Sequence, residues 1–171
     1  MSKKLITSAA ASKMIKTLQE DKMYLLEIEE NASTYIKVVG YEDIKPTYNY
    51  EEVRAELVNI DRKIAHIKHA LNLFNCTTKL PGFDITIDEG LVRMAQLNKE
   101  KTRLDVMRKR LPISRMKAVG FGESNSLVEY VCTNYDIEIV QKDYMEVSEQ
   151  IKRIQLALDD VNQTIEFQLD L

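Results

Sequence analysis

Two histidines are the residues of this chain best suited to begin a metal site. His66 and His69 are its only histidines and stand three residues apart. Residues i and i+3 share one face of a helix, so such a pair can supply two ligands. In the heptad pattern described below, however, both positions face solvent, and no Glu-x-x-His pattern accompanies them. We therefore expect no metal ion and no cofactor at this pair.

The two cysteines, Cys76 and Cys132, are the candidate nucleophiles. A reactive thiol needs a neighbouring base, and neither histidine is placed to act as one. We therefore predict that both cysteines pack as small hydrophobic side chains, and that the protein is not an enzyme. Two cysteines are also too few for a disulfide scaffold, which favours a cytoplasmic protein.

A basic run could bind anions. Its cations are Arg103, Arg108, Lys109, Arg110, Arg115 and Lys117. Guanidinium groups bind phosphate through paired donors, and the glycines of the following Gly120-Phe121-Gly122 can offer backbone N–H groups. Nucleic-acid or phosphate binding is therefore the alternative function and not the favoured one, because a net charge of −3 argues against a general nucleic-acid binder. Cations at a helix C-terminus also stabilise the helix dipole, so a structural role stays open.

The elements that must position these residues are indicated by an apolar seam that occurs twice, 87 residues apart. The first seam consists of Val53, Leu57, Ile60, Ile64, Ile67, Leu71 and Phe74. The second consists of Val140, Tyr144, Val147, Ile151, Ile154, Leu158 and Val161. Alternating steps of four and three residues form a heptad stripe, which keeps one helix face against a partner. We interpret the repeat as a duplicated helical unit.

Capping and turn residues divide the rest of the chain. They predict helices at residues 8–31, 50–74, 87–111 and 137–162, with Asn49 and Asp136 as N-caps of the two long helices. Runs rich in β-branched and aromatic residues predict strands near residues 33–39 and 128–133, and a strand or an extended hairpin arm is predicted at residues 77–87. A fourth strand is predicted from period-two alternation of the apolar residues Ile165, Phe167, Leu169 and Leu171.

These elements predict a mainly α fold with long antiparallel heptad helices and a small β-sheet formed from short strands. We expect a single domain of four helices in two similar halves, residues 1–87 and 88–171. The two duplicated helices are the natural pair, either within one chain or between two copies. No apolar run reaches 18 residues, so no membrane-spanning helix is expected.

The predicted function follows from the amount of helix seam and strand edge. We expect an interaction or assembly protein that binds a second copy of itself or another protein. Its helices are one candidate surface. The other is the edge strand with Ile165, Phe167, Leu169 and Leu171.

Three segments of the chain also resemble a known family. Residues 67–78 (IKHALNLFNCTT), 86–91 (TIDEGL) and 157–164 (ALDDVNQT) are similar to the recurring blocks of a bacterial family commonly labelled septicolysin-like. The resemblance covers residues 14–171. It implies a helical protein from a bacterium or its phage, and it brings no catalytic residues.

Overall fold

A computed structural model describes residues 3–115 and 129–170, which form four helices and four short strands. In chain order the elements are β1 (Lys3–Thr7), α1 (Ser8–Ala32), α2 (Tyr50–Thr77), α3 (Ile87–Arg108), β2 (Ile113–Arg115), β3 (Tyr130–Cys132), α4 (Ile137–Thr164) and β4 (Glu166–Asp170). The predicted mainly α fold is confirmed. The chain divides into two compact units: unit 1 contains residues 1–87 and 159–171, and unit 2 contains residues 88–158.

The two long helices, α2 and α4, begin and end in the same way. Both have 28 residues, and their ends lie 87 residues apart. The side chains of Asn49 and Asp136 each accept hydrogen bonds from the backbone N–H groups two and three residues further on. At the other end, the hydroxyls of Thr77 and Thr164 donate to the carbonyl four residues earlier, at 2.8 and 2.7 Å. This correspondence supports the interpretation of a duplicated unit.

Burial in α2 and α4 follows the predicted seams. The fully buried residues of α2 are Ile60, Ile67 and Phe74, and 87 residues later Val147, Ile154 and Val161 are buried in α4. Every other seam residue is buried or half-buried, whereas most residues between them are exposed. Each long helix is therefore held through a narrow apolar stripe.

In unit 1, α1 and α2 form an antiparallel pair. The ammonium group of Lys22 binds both carboxylate oxygens of Asp61, at 2.6 and 2.8 Å. Nearer the connection, the Tyr48 hydroxyl donates to Glu29 at 2.9 Å. The pairing predicted between α2 and α4 stays a prediction, but within unit 1 the partner of α2 is α1.

Strand β4 joins unit 1 through its side chains and its backbone. It pairs antiparallel with β1, from Lys3 opposite Asp170 to Thr7 opposite Glu166. The ring of Phe167 stacks on that of Phe74, with centroids 4.9 Å apart, and Leu169 is fully buried. The predicted strand is thus present over residues 166–170, but its partner β1 was not predicted.

In unit 2, α3 and α4 are antiparallel and continue into a hairpin. Gln150 accepts from Arg93 at 3.4 Å, and Gln141 accepts from Arg108 at 3.3 Å. Beyond the helix ends, β2 and β3 pair antiparallel over three residues each. Unit 2 is therefore a helix, a hairpin and a helix, with residues 116–128 outside the described part of the hairpin.

The connection between α1 and α2 has a similar course without a β-ladder. Tyr41 donates its N–H to the Val38 carbonyl at 3.2 Å, which closes a turn containing Gly40 at φ +88°. Lys37 pairs with Asp43 at 3.3 Å across the two arms. The strand predicted at residues 33–39 is wrong, because strand composition there is not matched by ladder hydrogen bonds.

The other two predicted extended segments agree with the structure in part. Residues 77–87 contain a tight turn with one bridge, Lys79 opposite Thr86, because Pro81-Gly82 reverses the chain and Gly82 adopts φ +77°. The predicted strand at 128–133 is present as β3, whereas β2 was not predicted. In place of one small sheet, the described residues form two separate two-stranded sheets, β1–β4 and β2–β3.

Equivalent seam positions should contribute similarly to stability. We expect Ile67→Ala and Ile154→Ala each to lower the free energy of unfolding by about 2–5 kcal/mol, because each removes a buried side chain from a seam. Urea unfolding followed by circular dichroism measures the change. Leu73→Ala and Leu156→Ala, at exposed positions of the same two helices, are the controls and should cost about 0.5 kcal/mol or less. Equal losses at seam and control positions would contradict the assignment.

Candidate interaction surfaces

Exposed apolar side chains concentrate at the ends of the two helical hairpins. We call residues 35–45 tip 1, and residues 110–115 with 130–132 tip 2. At tip 1, Ile36 and Val39 are 90% and 94% exposed. At tip 2 the exposed apolar residues are Leu111, Ile113, Tyr130 and Val131. Contiguous exposed apolar side chains of this size are typical of interaction sites.

Within the described residues, tip 2 also presents backbone groups without a ladder partner. Thr133 donates to the Pro112 carbonyl at 3.0 Å, which marks residues 112 and 133 as a hydrogen-bonded pair. Bonded and non-bonded pairs alternate in an antiparallel ladder, so the next bonded pair is Ser114 with Val131. The backbone N–H and C=O of Tyr130 and Cys132 therefore point outward along the free edge of β3, where a further strand could pair.

The base of tip 2 forms a groove, and one of its lining residues is held by a hydrogen bond to α3. An open groove of about 760 Å³ is lined by residues that include Leu111, Ser114 and Val131, with Arg110 at the same surface. Tyr135 also lines it and donates its hydroxyl to the Met107 carbonyl at 2.8 Å, which anchors the start of α4 to the end of α3.

Both cysteines are exposed, so their predicted packing in the interior is wrong. Cys76 lies two residues after the buried Phe74, a rotation of about 200° that carries its side chain away from the seam of α2. Cys132 lies in β3, a strand whose three residues are all exposed. Neither position could be judged from the presence of a neighbouring strand.

Three cations of the basic run form ion pairs with carboxylates of α3. Asp105 binds Lys109 and also accepts from Arg108, at 2.9 Å from Nε and 2.6 Å from Nη2. The Arg108 guanidinium lies 4.0 Å above the Tyr144 ring, which adds a cation–π contact. Arg103 pairs with Glu100 at 3.6 Å. Hydrogen bonds from Lys109 and then Arg108 hold the pKa of Asp105 below its ordinary value.

Two cations of the run remain uncommitted. Arg110 and Arg115 are exposed and form no ion pair within the described part of the chain, and both belong to tip 2. Lys117 and Gly120-Phe121-Gly122 lie outside the described residues. Of the five predicted cations that the structure describes, three pair with carboxylates of α3 and two belong to tip 2, and anion binding by the basic run stays a prediction.

The histidine pair does not converge with other ligands. Both rings are exposed, as predicted, but His66 Nε2 lies 2.6 Å from the Asp170 carbonyl and so connects α2 to β4. Within residues 3–115 and 129–170 there is no group of three His, Cys, Asp or Glu side chains that could hold a metal ion.

Sequence reasoning missed a second apolar surface, on α1. An open groove of about 550 Å³ is lined by Glu20, Met23, Tyr24, Leu26, Glu27 and Glu30. Met23 is 71% exposed, and these residues lie away from the half-buried side that faces α2. We call this surface the α1 outer face. Its signal in the sequence is a group of apolar residues that do not fit the helix stripe, set among carboxylates.

The predicted edge strand offers fewer accessible side chains than expected. Phe167 and Leu169 are buried in unit 1, β1 occupies one edge of β4, and Ile165 is half-buried. Leu171 lies outside the described residues. The outer edge of β4 stays a predicted contact, but its apolar side chains are not an exposed surface.

Comparison with known proteins shows the fold and no more. No protein-family model matches the chain, and no curated protein matches its sequence, so the resemblance to septicolysin-like proteins stays a prediction. A solved structure described as a functionally unknown conserved protein from Corynebacterium diphtheriae is similar, with a TM-score of 0.65 and 16% identity. The match covers 96% of this chain and 100% of that one. No described helix combines the length and apolar character needed to cross a bilayer.

The Asp105 ion pairs provide a test of how the basic run is engaged. The folded-state pKa of this carboxyl is lowered, so its contribution to stability is present at neutral pH and fades as pH falls below about 4. We expect Lys109→Ala to raise the pKa of Asp105 towards its ordinary value, measured by NMR titration of the carboxyl carbon. Arg103→Ala, which removes the separate pair with Glu100, should leave that pKa in place. An unchanged pKa in Lys109→Ala would refute the assigned pairing.

Proposed function

We propose that this protein is a non-enzymatic helical interaction module, located in the cytoplasm, that assembles through the apolar tips of its helical hairpins. The observation that carries the proposal is the exposure of large apolar side chains at tip 1 and tip 2, beyond the ends of helices whose seams are buried. The proposal keeps the predicted assembly role but moves the contact from the helix seams and β4 to these tips.

The composition of tip 2 supports a protein partner. Tyrosine and arginine are enriched in the cores of protein interfaces, and tip 2 exposes Tyr130 beside Arg115. These two residues are directly opposite each other in the ladder, so they lie on the same face of the hairpin. The free edge of β3 adds main-chain donors and acceptors, which give affinity when a strand is added to a sheet.

The stability of a short hairpin points the same way. A two-stranded hairpin is marginally stable in water by itself, and β2 and β3 contribute three residues each. A partner that covers the apolar residues of tip 2 would remove them from water and stabilise the ladder. Binding would therefore stabilise the β2–β3 ladder.

Self-association tests the proposal. We expect the apparent mass to rise above the 19.8 kDa of one chain as concentration increases, measured by size-exclusion chromatography with light scattering. Ile113→Ser with Val131→Ser should weaken association at least about tenfold, because it removes apolar side chains from the centre of tip 2. Leu73→Ser with Leu156→Ser, two exposed leucines outside the tips, is the matched control. A strictly monomeric wild-type protein that captures no partner would contradict the proposal.

Nucleic-acid or phosphate binding is the alternative, and Arg110 and Arg115 are its remaining described candidates. If it is correct, Arg110→Ala with Arg115→Ala should weaken binding to a labelled DNA or RNA duplex and reduce its salt dependence by about two counterions. Fluorescence anisotropy at low salt measures this. Arg103→Ala, whose cation already pairs with a carboxylate, serves as the control. Absence of any anisotropy change with the wild-type protein would rule the alternative out.

A further inference from the structure

We infer that tip 2 of one copy docks on the α1 outer face of a second copy, giving a head-to-tail assembly. The inference rests on the proposed function and deepens it by naming the partner and the second surface. The argument depends on two surfaces that are both apolar at the centre, opposite in charge at the rim, and exposed in the same chain.

The α1 outer face is acidic beyond what its own contacts neutralise. Residues 20–30 (EDKMYLLEIEE) contain five carboxylates and one cation, Lys22, which is bound to Asp61 of α2. Glu29 accepts from Tyr48, and Glu20 lies 3.8 Å from Lys16. Glu27 and Glu30 line the groove beside Met23 and have no side-chain hydrogen bond or ion pair in the described chain. The carboxylates of Glu27 and Glu30 are therefore unpaired in the described chain and lie next to the exposed side chain of Met23.

Tip 2 has the opposite charge around a similar apolar centre. Arg110 and Arg115 are the cations of its described residues, and neither is paired there. The one carboxylate next to the ladder is Glu129, so the hairpin residues 110–115 and 129–133 have a net charge of +1. Leu111 and Val131 line its groove together with Arg110, whereas Arg115 lies beside Tyr130 on the other face of the hairpin. A methionine side chain adapts well to such an irregular apolar groove, and Met23 protrudes from α1.

Electrostatics favour contact between tip 2 and the α1 outer face over contact between two copies of the same surface. Two copies of tip 2 in contact would oppose their arginines, and two α1 outer faces would oppose Glu27 and Glu30. Complementary rims favour encounter and fix the register, whereas like charges brought together are unfavourable. A contact between two different surfaces is heterologous, so a pair of copies still has one free tip 2 and one free α1 outer face, and the assembly extends into a ring or a filament.

Charge reversal on one surface at a time tests the docking. Glu27→Lys with Glu30→Lys alters the α1 outer face, and Arg110→Glu with Arg115→Glu alters tip 2. Each double variant alone should lose self-association by at least about tenfold and behave as a 19.8 kDa monomer. An equimolar mixture should assemble again, to at least twice that mass, because the native tip 2 of one variant can meet the native α1 outer face of the other and the two reversed surfaces are also complementary. A chain with all four reversals should self-associate again.

Controls separate this inference from the function on which it rests. Glu149→Lys with Lys152→Glu reverses exposed charges on α4 and should leave assembly unchanged, and circular dichroism checks that every variant stays folded. If the wild type assembles and both surface variants assemble equally well, the docking is wrong while the proposed function stands. If the variants are monomeric but their mixture forms no dimer, the docking is also wrong. A monomeric wild type that captures no partner removes the proposed function itself.

Discussion

Burial of one narrow apolar stripe on each long helix is the constraint on which the rest of this structure depends. A seam with a step of 3.5 residues covers a small part of the helix circumference, so it can be buried only by a neighbour that lies along its whole length. Within each unit the adjacent helix in the chain runs alongside in the opposite direction, and at the end of the α2 seam Phe74 stacks on Phe167 of β4. The chain must therefore reverse beyond the helix ends, and this reversal creates the tips.

The buried seam residues contribute to the stability of the fold, whereas the exposed tip residues are the ones proposed to bind a partner. Ion pairs such as Lys22 with Asp61 and Arg108 with Asp105 are partly or largely exposed, and pairs of this kind contribute little to stability. They fix which positions of the two helices face each other. The apolar residues of the tips lie beyond the last seam contacts, so substitutions there are expected to change binding more than folding.

The sequence predicts those features that depend on local periodicity. The seams, the caps at Asn49 and Asp136, and the alternation in β4 are all set by neighbours in the chain, and their positions agree with the structure to within a few residues. Strand β1 has only five residues, with no clear alternation, and its partner is more than 150 residues away, so local pattern cannot find it. Residues 33–39 have strand composition but no ladder partner. Composition alone cannot distinguish a segment that pairs in a β-ladder from one that does not.

The candidate surfaces were harder to predict than the fold, for a related reason. The exposure of Cys76 and Cys132 depends on which faces are covered, and this is a property of packing. The α1 outer face was missed because helix assignment searches for a single apolar stripe, and residues such as Met23 fall outside it. An apolar residue outside the stripe costs nothing in helix formation, so it becomes informative only when the packed side is known.

Duplication would give two similar arms, and the differences between them bear on how copies can meet. At tip 1 the cations are engaged within the tip, since Lys37 pairs with Asp43 and Lys45 lies 5.4 Å from the Tyr35 ring centroid. At tip 2, Arg110 and Arg115 have no such partners in the described chain. The uncommitted carboxylates lie in the other unit, on α1. The two helical hairpins have similar apolar seams but different charged residues at their tips, so one hairpin cannot replace the other in an interface. Under the proposed docking, contacts between unlike surfaces would extend an assembly where contacts between like surfaces would close it.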